Sequence, residues 1–311
     1  MNFQQLRIIR EAAKRDFNLT EVSNALFTSQ SGVSKHIRDL EDELGIQIFH
    51  RKGKRLLGFT DPGRELLSLV ERVLFDTKNI RELAERYRDT DRGQLTIATT
   101  HTQARYVLPA VVAKFKEEFP KVHLALHQGS PSEIAGLLSD GSVDLAIATE
   151  SISQIEEFSA FPYYEWSHTV VVPNDHPLAS ERQITFERLA EFPIVTYHEG
   201  FTGRKKIDEA FSSRGLVPDV VMSALDADVL KTYVEIGLGV GIIASMAYEF
   251  KRDKGLVQID FREEFEKNTT YIAIRKGQFM RGYVYRFLEL ASPELTEDRV
   301  RKATHHEDES E

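Results

Sequence analysis

The sequence predicts a fold in three parts: an N-terminal winged helix-turn-helix that is mostly α-helical, a long linker helix, and a two-lobed α/β half. Three observations predict it. Residues 19–45 form an amphipathic helix pair followed by a basic hairpin, residues 64–92 contain neither Gly nor Pro, and short strand-like and helix-like runs alternate from residue 94 onward. We assign residues 1–60, 61–90 and 91–303 to these parts, and residues 304–311 to a charged, disordered tail.

The composition is that of a globular protein with two to three domains, since 41% of the 311 residues are hydrophobic and 29% are charged. The chain has no cysteine, which excludes a disulfide framework, a thiolate metal site and a cysteine nucleophile. The first fifteen residues are amphipathic and interrupted by Arg7 and Arg10, so we do not expect a signal peptide. No apolar run reaches transmembrane length, and we expect a cytoplasmic protein without a membrane partner.

Charge is distributed unevenly along the chain. The net charge of −9 argues against a nucleic-acid binder that is basic throughout. Residues 1–65, however, hold eleven Lys and Arg against nine Asp and Glu, whereas the remainder holds 29 against 40. A slightly basic N-terminal module on an acidic body is consistent with DNA binding at one end of the chain.

The helix pair begins with Thr20 as a predicted N-cap, and its second helix begins after Ser29. The second helix has a predicted buried stripe of Val33, Ile37, Leu40 and Leu44. Its opposite face is polar and suits base edges and phosphates, because the second helix of such a motif lies in the major groove. An ordinary helical hairpin with a solvated face is the alternative. The predicted DNA-binding residues here are Thr28, Ser29, Gln30, Ser31, Ser34, Lys35 and Arg38.

A basic hairpin follows the helix pair. Residues 46–49 alternate like a short strand, and residues 56–60 form the return strand. The turn between them is basic, which predicts a wing whose tip contacts phosphate through Arg51, Lys52 and Lys54.

The linker helix has an apolar stripe with spacings of four and three residues. The stripe consists of Leu66, Val70, Val73, Thr77, Ile80, Ala84 and Tyr87. This heptad spacing predicts a helix that pairs with a second copy of the chain. The alternative is a long helix that packs on its own domain.

The C-terminal half reads as two α/β lobes. Strand, helix, strand, helix and strand follow one another over residues 94–150, which implies a parallel sheet with right-handed crossovers. A second set of strands and helices follows. We place the first lobe at about residues 91–161 and 267–300 and the second at about residues 162–266. Ligands of such sheets bind beyond the carboxyl ends of the strands, so we expect a site in the cleft between the lobes.

Hydroxyl and amide side chains collect at the predicted strand ends. A strand ends at Thr100 and the next helix begins near Thr102, so the Gln103 amide and helix N–H groups add neutral donors for an anion. Thr149 ends another strand, and Thr202 lies at a helix start in the second lobe. These five residues form the predicted effector site, with possible lining by His101, Trp166 and Tyr197. The alternative is that each threonine is an ordinary N-cap or strand end.

Catalytic constellations were sought and none is predicted. The ten histidines are scattered, and no HExxH, GxSxG or P-loop motif occurs. We therefore predict neither catalytic residues nor a metal site, and no enzyme. A solute-binding protein would share the two-lobed half, but the first ninety residues argue against that class.

The motif residues resemble those of LysR-type transcriptional regulators. The matching run is TSQSGVSKHIRDLEDELGIQIFHRKGKRLLGFTDPG, at residues 28–63. Within that family the chain is similar to the CysB-like branch, which includes Cbl-like members, through IATTHTQARYVLP, HQGSP, DLAIATE, NDHPLA, GFTGR, DADVLKTY and GLGVGIIASMA. Ser31 stands where many members of the family have Pro, and Ser is equally acceptable in a first helical turn.

The resemblance implies a function as well as a fold. The α/β half is expected to be a periplasmic-binding-protein-like effector domain, and the chain a homotetrameric regulator of sulfur assimilation, cysteine biosynthesis or sulfonate-utilisation genes. The positions that match the branch's effector site are Thr100, Thr102, Gln103, Thr149 and Thr202. The implied effectors are sulfate, N-acetylserine, O-acetylserine or adenosine phosphosulfate, with no other cofactor. The implied partners are double-stranded promoter DNA, RNA polymerase and further copies of the chain. A LysR-type regulator that answers to a different small acid is the alternative.

Overall fold

The structure is a computed structural model that describes residues 1–53, 55–86, 92–181, 184–201, 203–259, 261 and 265–304. The chain divides into two compact units, Met1–Arg88 and Asp89–Glu311. The predicted contacts of Lys54 and Thr202, the seam position Tyr87 and the tail residues 305–311 lie outside the described residues.

The N-terminal unit has the predicted helix-turn-helix and wing. Its elements are α1 (Phe3–Lys14), α2 (Leu19–Ala25), α3 (Gln30–Leu44), β1 (Phe49–Lys52), β2 (Arg55–Phe59) and α4 (Asp61–Arg86). Ser29 caps α3 as predicted, since its hydroxyl accepts the Gly32 N–H at 3.1 Å. The cap of α2 is Asn18 and not Thr20, because the Asn18 carboxamide oxygen accepts the N–H groups of Thr20 and Glu21.

The core of this unit forms where α1, α2 and α3 meet the wing and α4. Val33, Ile37 and Leu40 of the predicted stripe are buried there, but Leu44 is exposed because it lies in the last turn of α3. Gly45 ends the helix with a φ of 68°, a left-handed conformation that glycine adopts without steric cost. The strands β1 and β2 are antiparallel, and Phe49 stacks on Phe59 with ring centroids 4.9 Å apart.

The apolar stripe of α4 is divided between two environments. Leu66 and Val70 pack in the core of their own unit, where Val70 is 2% exposed. Val73 and Ile80 are 43% and 67% exposed. Leu69 and Leu83 are also exposed and share heptad spacing with Val73 and Ile80, so the exposed stripe is offset from the predicted seam. The offset arises because the first turns of α4 pack on their own domain.

The first lobe of the C-terminal unit is built on a sheet with strand order β4-β3-β5-β12-β6. These strands are β3 (Gly93–Thr99), β4 (Val122–Gln128), β5 (Leu145–Thr149), β6 (Phe158–Trp166) and β12 (Asn268–Arg275). The strands β4, β3 and β5 are parallel, as predicted, and β12 runs antiparallel to both of its neighbours. The lobe's helices are α5 (Leu108–Glu118), α6 (Pro131–Ser139), α10 (Gly282–Ala291) and α11 (Glu297–Thr304).

The second lobe is built on a sheet with strand order β11-β7-β10-β8-β9. These strands are β7 (His168–Pro173), β8 (Ile194–Tyr197), β9 (Val220–Ala224), β10 (Val240–Ala244) and β11 (Leu256–Ile259). Strands β10, β8 and β9 are parallel, whereas β7 is antiparallel to β10 and to β11. The helices of this lobe are α7 (Phe186–Ala190), α8 (Arg204–Ser212) and α9 (Ala227–Glu235).

Two boundaries differ from the predicted ones. The first lobe keeps all of β6, so the chain passes to the second lobe at Ser167 and not at residue 162. Strand β6 was not predicted, and its pairing with β12 over its whole length holds residues 162–166 in the first lobe. Thr304 was assigned to the disordered tail but ends α11, where its buried hydroxyl donates to the Val300 carbonyl oxygen at 2.9 Å. No helix in the described part of the chain is long and apolar enough to cross a membrane.

Candidate functional site

The polar face of α3 is open to solvent. Gln30, Ser31, Lys35 and Arg38 are exposed there, and Thr28 and Ser34 are half-buried. A groove of about 490 Å³ runs between this face and the wing and is lined by Gln30, Ser31, Ser34, Arg38, Arg51 and Gly53. The structure therefore brings the predicted recognition helix and the base of the predicted wing to one surface. Lys52 is exposed in β1 of the same wing.

A buried carboxylate that the sequence did not indicate joins α3 to the wing. Glu41 Oε1 accepts the backbone N–H groups of Ile48 and Phe49 at 2.9 and 3.3 Å. Its other oxygen accepts a hydrogen bond from Arg51 Nη2 at 2.6 Å. Arg51 was predicted to contact DNA phosphate, and in the structure its guanidinium is bound to Glu41. This bond joins the wing strand to α3, and Arg51 also lines the groove beside the polar face of that helix.

A cleft of about 1,140 Å³ opens between the two lobes of the C-terminal unit. From the first lobe, the start of α6, the end of β5 and the residues after β5 line the cleft. From the second lobe, Glu199–Phe201 and the start of α8 line it. Thr149 and Asn268 also line the cleft. The carboxyl ends of parallel strands from both lobes therefore face one cavity, which is where ligands of such sheets bind.

The predicted donors after β3 are buried. Thr100, Thr102 and Gln103 are 5%, 1% and 2% exposed. They lie at the carboxyl edge of the sheet beside Thr149, because β3 and β5 are parallel with Thr99 opposite Ile147. Thr102 Oγ1 is buried and makes no hydrogen bond of standard geometry among the described residues, although it lies close enough to the Tyr197 hydroxyl to lower the pKa of that group. A buried polar atom of this kind calls for a partner, and a ligand is one candidate.

Gln103 and Trp166 are engaged within the protein. The Gln103 amide nitrogen donates to Thr270 Oγ1 at 3.3 Å, and its oxygen accepts from the Tyr164 hydroxyl. Trp166 Nε1 donates to the same Thr270 hydroxyl at 3.1 Å, and its ring is part of an apolar core. Gln103 therefore has one amide N–H left with which to donate to a ligand, and Trp166 packs in an apolar core.

Tyr197 and His101 also differ from the predicted lining. Tyr197 is fully buried in the core of the second lobe, where its hydroxyl accepts the Ala244 N–H at 3.0 Å. Burial raises the pKa of Tyr197. His101 bridges the lobes instead, because Nδ1 lies 2.7 Å from Gln128 Oε1 and Nε2 lies 2.9 Å from Asp226 Oδ2. Neither residue is among those that line the cleft.

A second bridge between the lobes was not predicted. A π-helical turn over Gln103–Val107 directs Arg105 and Tyr106 of the first lobe to Asp228 of the second, at 3.0 and 2.5 Å. Lys231 Nζ lies 3.1 Å from the same carboxylate. Burial alone would raise the pKa of Asp228, but hydrogen bonds from Tyr106, Arg105 and Lys231 outweigh it and lower the pKa to about 2.

Possible cation ligands occur at this bridge. Side-chain ligand atoms of His101, Asp226 and Asp228 lie within 4.8 Å of one another. The Asp228 carboxylate, however, already binds Arg105 and Lys231, whose charges would repel a metal ion. The arrangement is therefore suited to ion pairing between the lobes.

The basic side chains at the cleft have acidic partners. Arg204 Nε is 2.8 Å from Asp208 Oδ1, Lys205 Nζ is 3.5 Å from Glu209 Oε1, and Lys206 Nζ is 3.1 Å from Glu150 Oε1. Their charges are largely compensated within the protein. An anion in this cleft would depend on hydroxyl, amide and backbone donors more than on a net positive charge.

Comparison with known families defines the class of the protein. Residues 3–64 match the family described as "Bacterial regulatory helix-turn-helix protein, lysR family", and residues 88–296 match the "LysR substrate binding domain". The chain therefore belongs to the LysR family of transcriptional regulators. The second match implies that the C-terminal unit takes a small-molecule effector.

Individual relatives place the chain in the CysB/Cbl branch, which confirms the predicted resemblance. It is 54% identical over 300 residues to the HTH-type transcriptional regulator SsuR of Burkholderia cenocepacia, with 96% of this chain and 97% of that protein covered. It is 50% identical over 310 residues to CysB of the same organism, with coverage of 100% and 99%. The crystal structure of the cofactor-binding domain of the Cbl regulator matches with a TM-score of 0.66 and 46% identity, covering 70% of this chain and 96% of that one. These relatives are named as regulators, which supports the prediction that the chain is not an enzyme.

Proposed function

We propose that the chain is a cytoplasmic, sequence-specific DNA-binding regulator of sulfur assimilation, cysteine biosynthesis or sulfonate-utilisation genes, controlled by a small anionic effector. One observation carries the proposal. A chain about half identical to SsuR and CysB has, in its substrate-binding domain, a cleft at the carboxyl ends of strands from both lobes. The buried Thr102 hydroxyl near this strand edge, which has no hydrogen bond of standard geometry among the described residues, supports the ligand role.

The effector is sulfate, N-acetylserine, O-acetylserine or adenosine phosphosulfate. Its proposed donors are Thr100, Thr102, Gln103, Thr149 and Thr202. Because the basic side chains at the cleft are paired with acidic ones, selectivity follows from the number and direction of hydrogen bonds. Each bond to a charged ligand contributes about 1.5–3 kcal/mol.

The DNA-binding surface is the polar face of α3 together with the wing. Gln30, Ser34, Lys35 and Arg38 read base edges in the major groove, while Lys52 and Lys54 contact phosphate. Thr28, Ser29 and Ser31 position the start of α3 against the DNA backbone, where a helix N-terminus favours phosphate. RNA polymerase is the further protein partner that a promoter-bound regulator requires.

The exposed stripe of α4 is the proposed dimer contact. It consists of Leu69, Val73, Ile80 and Leu83, whose heptad spacing suits pairing with a second copy of the helix. A homotetramer then requires a further contact through the C-terminal units.

Mapping of the DNA bound by the full chain, with and without effector, tests the proposal. The protein is incubated with fragmented genomic DNA alone and with sulfate, N-acetylserine or adenosine phosphosulfate, and the bound fragments are sequenced. We expect enrichment of promoters of sulfur-metabolism genes and a change of occupancy with at least one of these anions. Enrichment of unrelated promoters would contradict the sulfur role, and occupancy that responds to a different small acid would identify another kind of LysR regulator.

A further inference from the structure

A buried amide in the cleft is not explained by the fold. Asn268 begins β12, the strand that returns the chain from the second lobe to the first, and the residue is among those that line the cleft. The residue is fully buried, yet neither Nδ2 nor Oδ1 has a hydrogen-bond partner in the described part of the chain. Buried amides in native proteins are almost always paired, so both an acceptor and a donor are missing at this point.

The amide is held in place by packing. A Cβ atom at Gly203 would lie 2.5 Å from Asn268 Oδ1 and 2.8 Å from His168 Cε1. Gly203 also has a φ of 68°, which disfavours any larger residue, and it directly precedes α8. Because Gly203 has no side chain, it leaves the space that the Asn268 amide occupies next to the start of α8.

Nearby side chains do not supply the missing partners. Glu150 Oε1 accepts the Thr269 N–H at 2.7 Å and lies 3.1 Å from Lys206 Nζ, so this carboxylate is already engaged. Water or a ligand must complete the bonds of the amide. A buried amide that lacks a hydrogen-bond partner for its N–H or its oxygen is unfavourable. A site that contains such an amide therefore favours ligands that bond to both atoms over ligands that bond to only one.

We propose that Asn268 determines the specificity of the effector site by requiring a ligand with a hydrogen-bond donor as well as an acceptor. The inference depends on the proposed effector function of the cleft. The Nδ2 group donates to a carboxylate or carbonyl oxygen, and Oδ1 accepts from an O–H or N–H group. N-acetylserine has a carboxylate, a hydroxyl and an amide N–H. Sulfate has only acceptors, so it leaves Oδ1 unpaired and places negative charge beside a carbonyl oxygen.

Calorimetric titration of the full chain tests this requirement. The parent, Asn268→Ala and the control Asn174→Ala are each titrated with N-acetylserine and with sulfate. Asn174 is an exposed amide outside the cleft that donates to the Lys254 carbonyl oxygen. For Asn268→Ala we expect the Kd of N-acetylserine to rise roughly ten- to a hundred-fold and that of sulfate to change less than about threefold. The control should bind both ligands like the parent.

Two results would overturn the inference while the effector function stands. One is an unchanged affinity for N-acetylserine, and the other is an equal loss for both ligands, provided that the parent binds them. Binding of neither ligand by the parent would contradict the proposed function itself, and the inference with it. Thermal melting without ligand is the second measurement. Asn268→Leu, which keeps much of the volume and removes both polar atoms, should melt at or above the temperature of the parent, whereas a lower melting temperature would show that the amide has a partner within the protein and would also overturn the inference.

Discussion

The polar face of α3 and the carboxyl edge of the first lobe's sheet carry the same kinds of side chain in opposite environments, although Thr102 and Gln103 at that edge are not among the residues that line the cleft. On α3 the serines, Gln30, Lys35 and Arg38 stand at the surface, whereas Thr102 and Gln103 are almost completely buried. DNA approaches a protein from outside and offers phosphates and base edges to an open surface. A small anion must be enclosed before a few hydrogen bonds can select it.

The two regions also differ in how buried polar groups are satisfied. Behind α3, Glu41 has all of its bonds made by the protein, through two backbone N–H groups and Arg51. At the carboxyl edge of the sheets, the Asn268 amide is unpaired among the described residues, and the Thr102 hydroxyl has only the nearby Tyr197 hydroxyl beside it. We therefore expect substitution of the buried Glu41 to lower the free energy of unfolding, whereas substitutions at the sheet edge should weaken ligand binding.

The largest effect is expected from Glu41→Ala. The substitution leaves two buried N–H groups and the Arg51 guanidinium without their acceptor, so unfolding should become easier by about 3 kcal/mol or more. Urea denaturation of the full chain, followed by a probe in the N-terminal unit, measures this loss. Asp42→Ala removes the neighbouring exposed carboxylate and should change the free energy of unfolding by less than about 0.5 kcal/mol. Equal effects of the two variants would contradict a buried role for Glu41.

A charge in the exposed stripe of α4 should disrupt dimers. Ile80→Glu places a carboxylate where two copies of the helix are proposed to meet, so the dimer dissociation constant should rise roughly a hundred-fold or more. Sedimentation velocity at several protein concentrations measures it. Arg81→Glu, one residue further along, changes the charge outside the stripe and is the matched control. Dimers of parental stability in Ile80→Glu would show that the chain pairs elsewhere.

Truncation of Arg38 tests whether the α3 face reads bases. Arg38→Ala should cost about 1–3 kcal/mol on a specific site and less on random DNA, because a base-reading side chain contributes only at its own sequence. Fluorescence anisotropy on both DNAs measures the difference. The same loss on both would reduce Arg38 to a phosphate contact.

The smallest effect on stability is expected from Asp228→Asn, at the bridge between the lobes, and this effect should depend on pH. The pKa of Asp228 is lowered to about 2, so its ionised form stabilises the fold above the ordinary carboxyl pKa and loses that effect as the pH falls through 2. Asp228→Asn should destabilise the chain by about 1 kcal/mol at pH 7, a discounted figure because the carboxylate is partly exposed. Roughly half of this difference should remain at pH 3. Thermal melts of parent and variant measure it, and a difference that does not change with pH would exclude the ion pairs as its cause.

Local sequence signals account for much of the fold. The N-terminal unit was predictable because helix caps and apolar spacing depend on residues only a few positions apart. The one wrong cap, Thr20 in place of Asn18, is an error of two positions between side chains that can both accept a backbone hydrogen bond. Strand β6 was missed because Pro162 and irregular burial obscure its pattern. It lies at the edge of its sheet, where a proline is tolerated.

The candidate site was less predictable because its chemistry depends on distant residues. Thr102 and Thr149 could be found from strand ends and helix starts. Asp228 pairs with Arg105, which is 123 positions away in the sequence. The position of the Asn268 amide depends on its packing against Gly203, which is also distant in the sequence. No periodicity or short motif encodes such neighbours. Glu41 was hidden for the same reason, since a charged residue within a helix is usually solvated.

Effector-dependent DNA binding by a Thr102 variant tests the central claim most directly. Thr102→Val keeps the shape of the side chain and removes its hydroxyl, so effector affinity should fall about ten- to a hundred-fold. The affinity of parent and variant for a promoter fragment enriched by the parent is measured by anisotropy during titration with the effector. We expect equal DNA affinity without effector, and a response of the variant that requires about ten- to a hundred-fold more ligand. Coincident effector titrations of parent and variant would contradict the claim, because the controlling site would then not include Thr102.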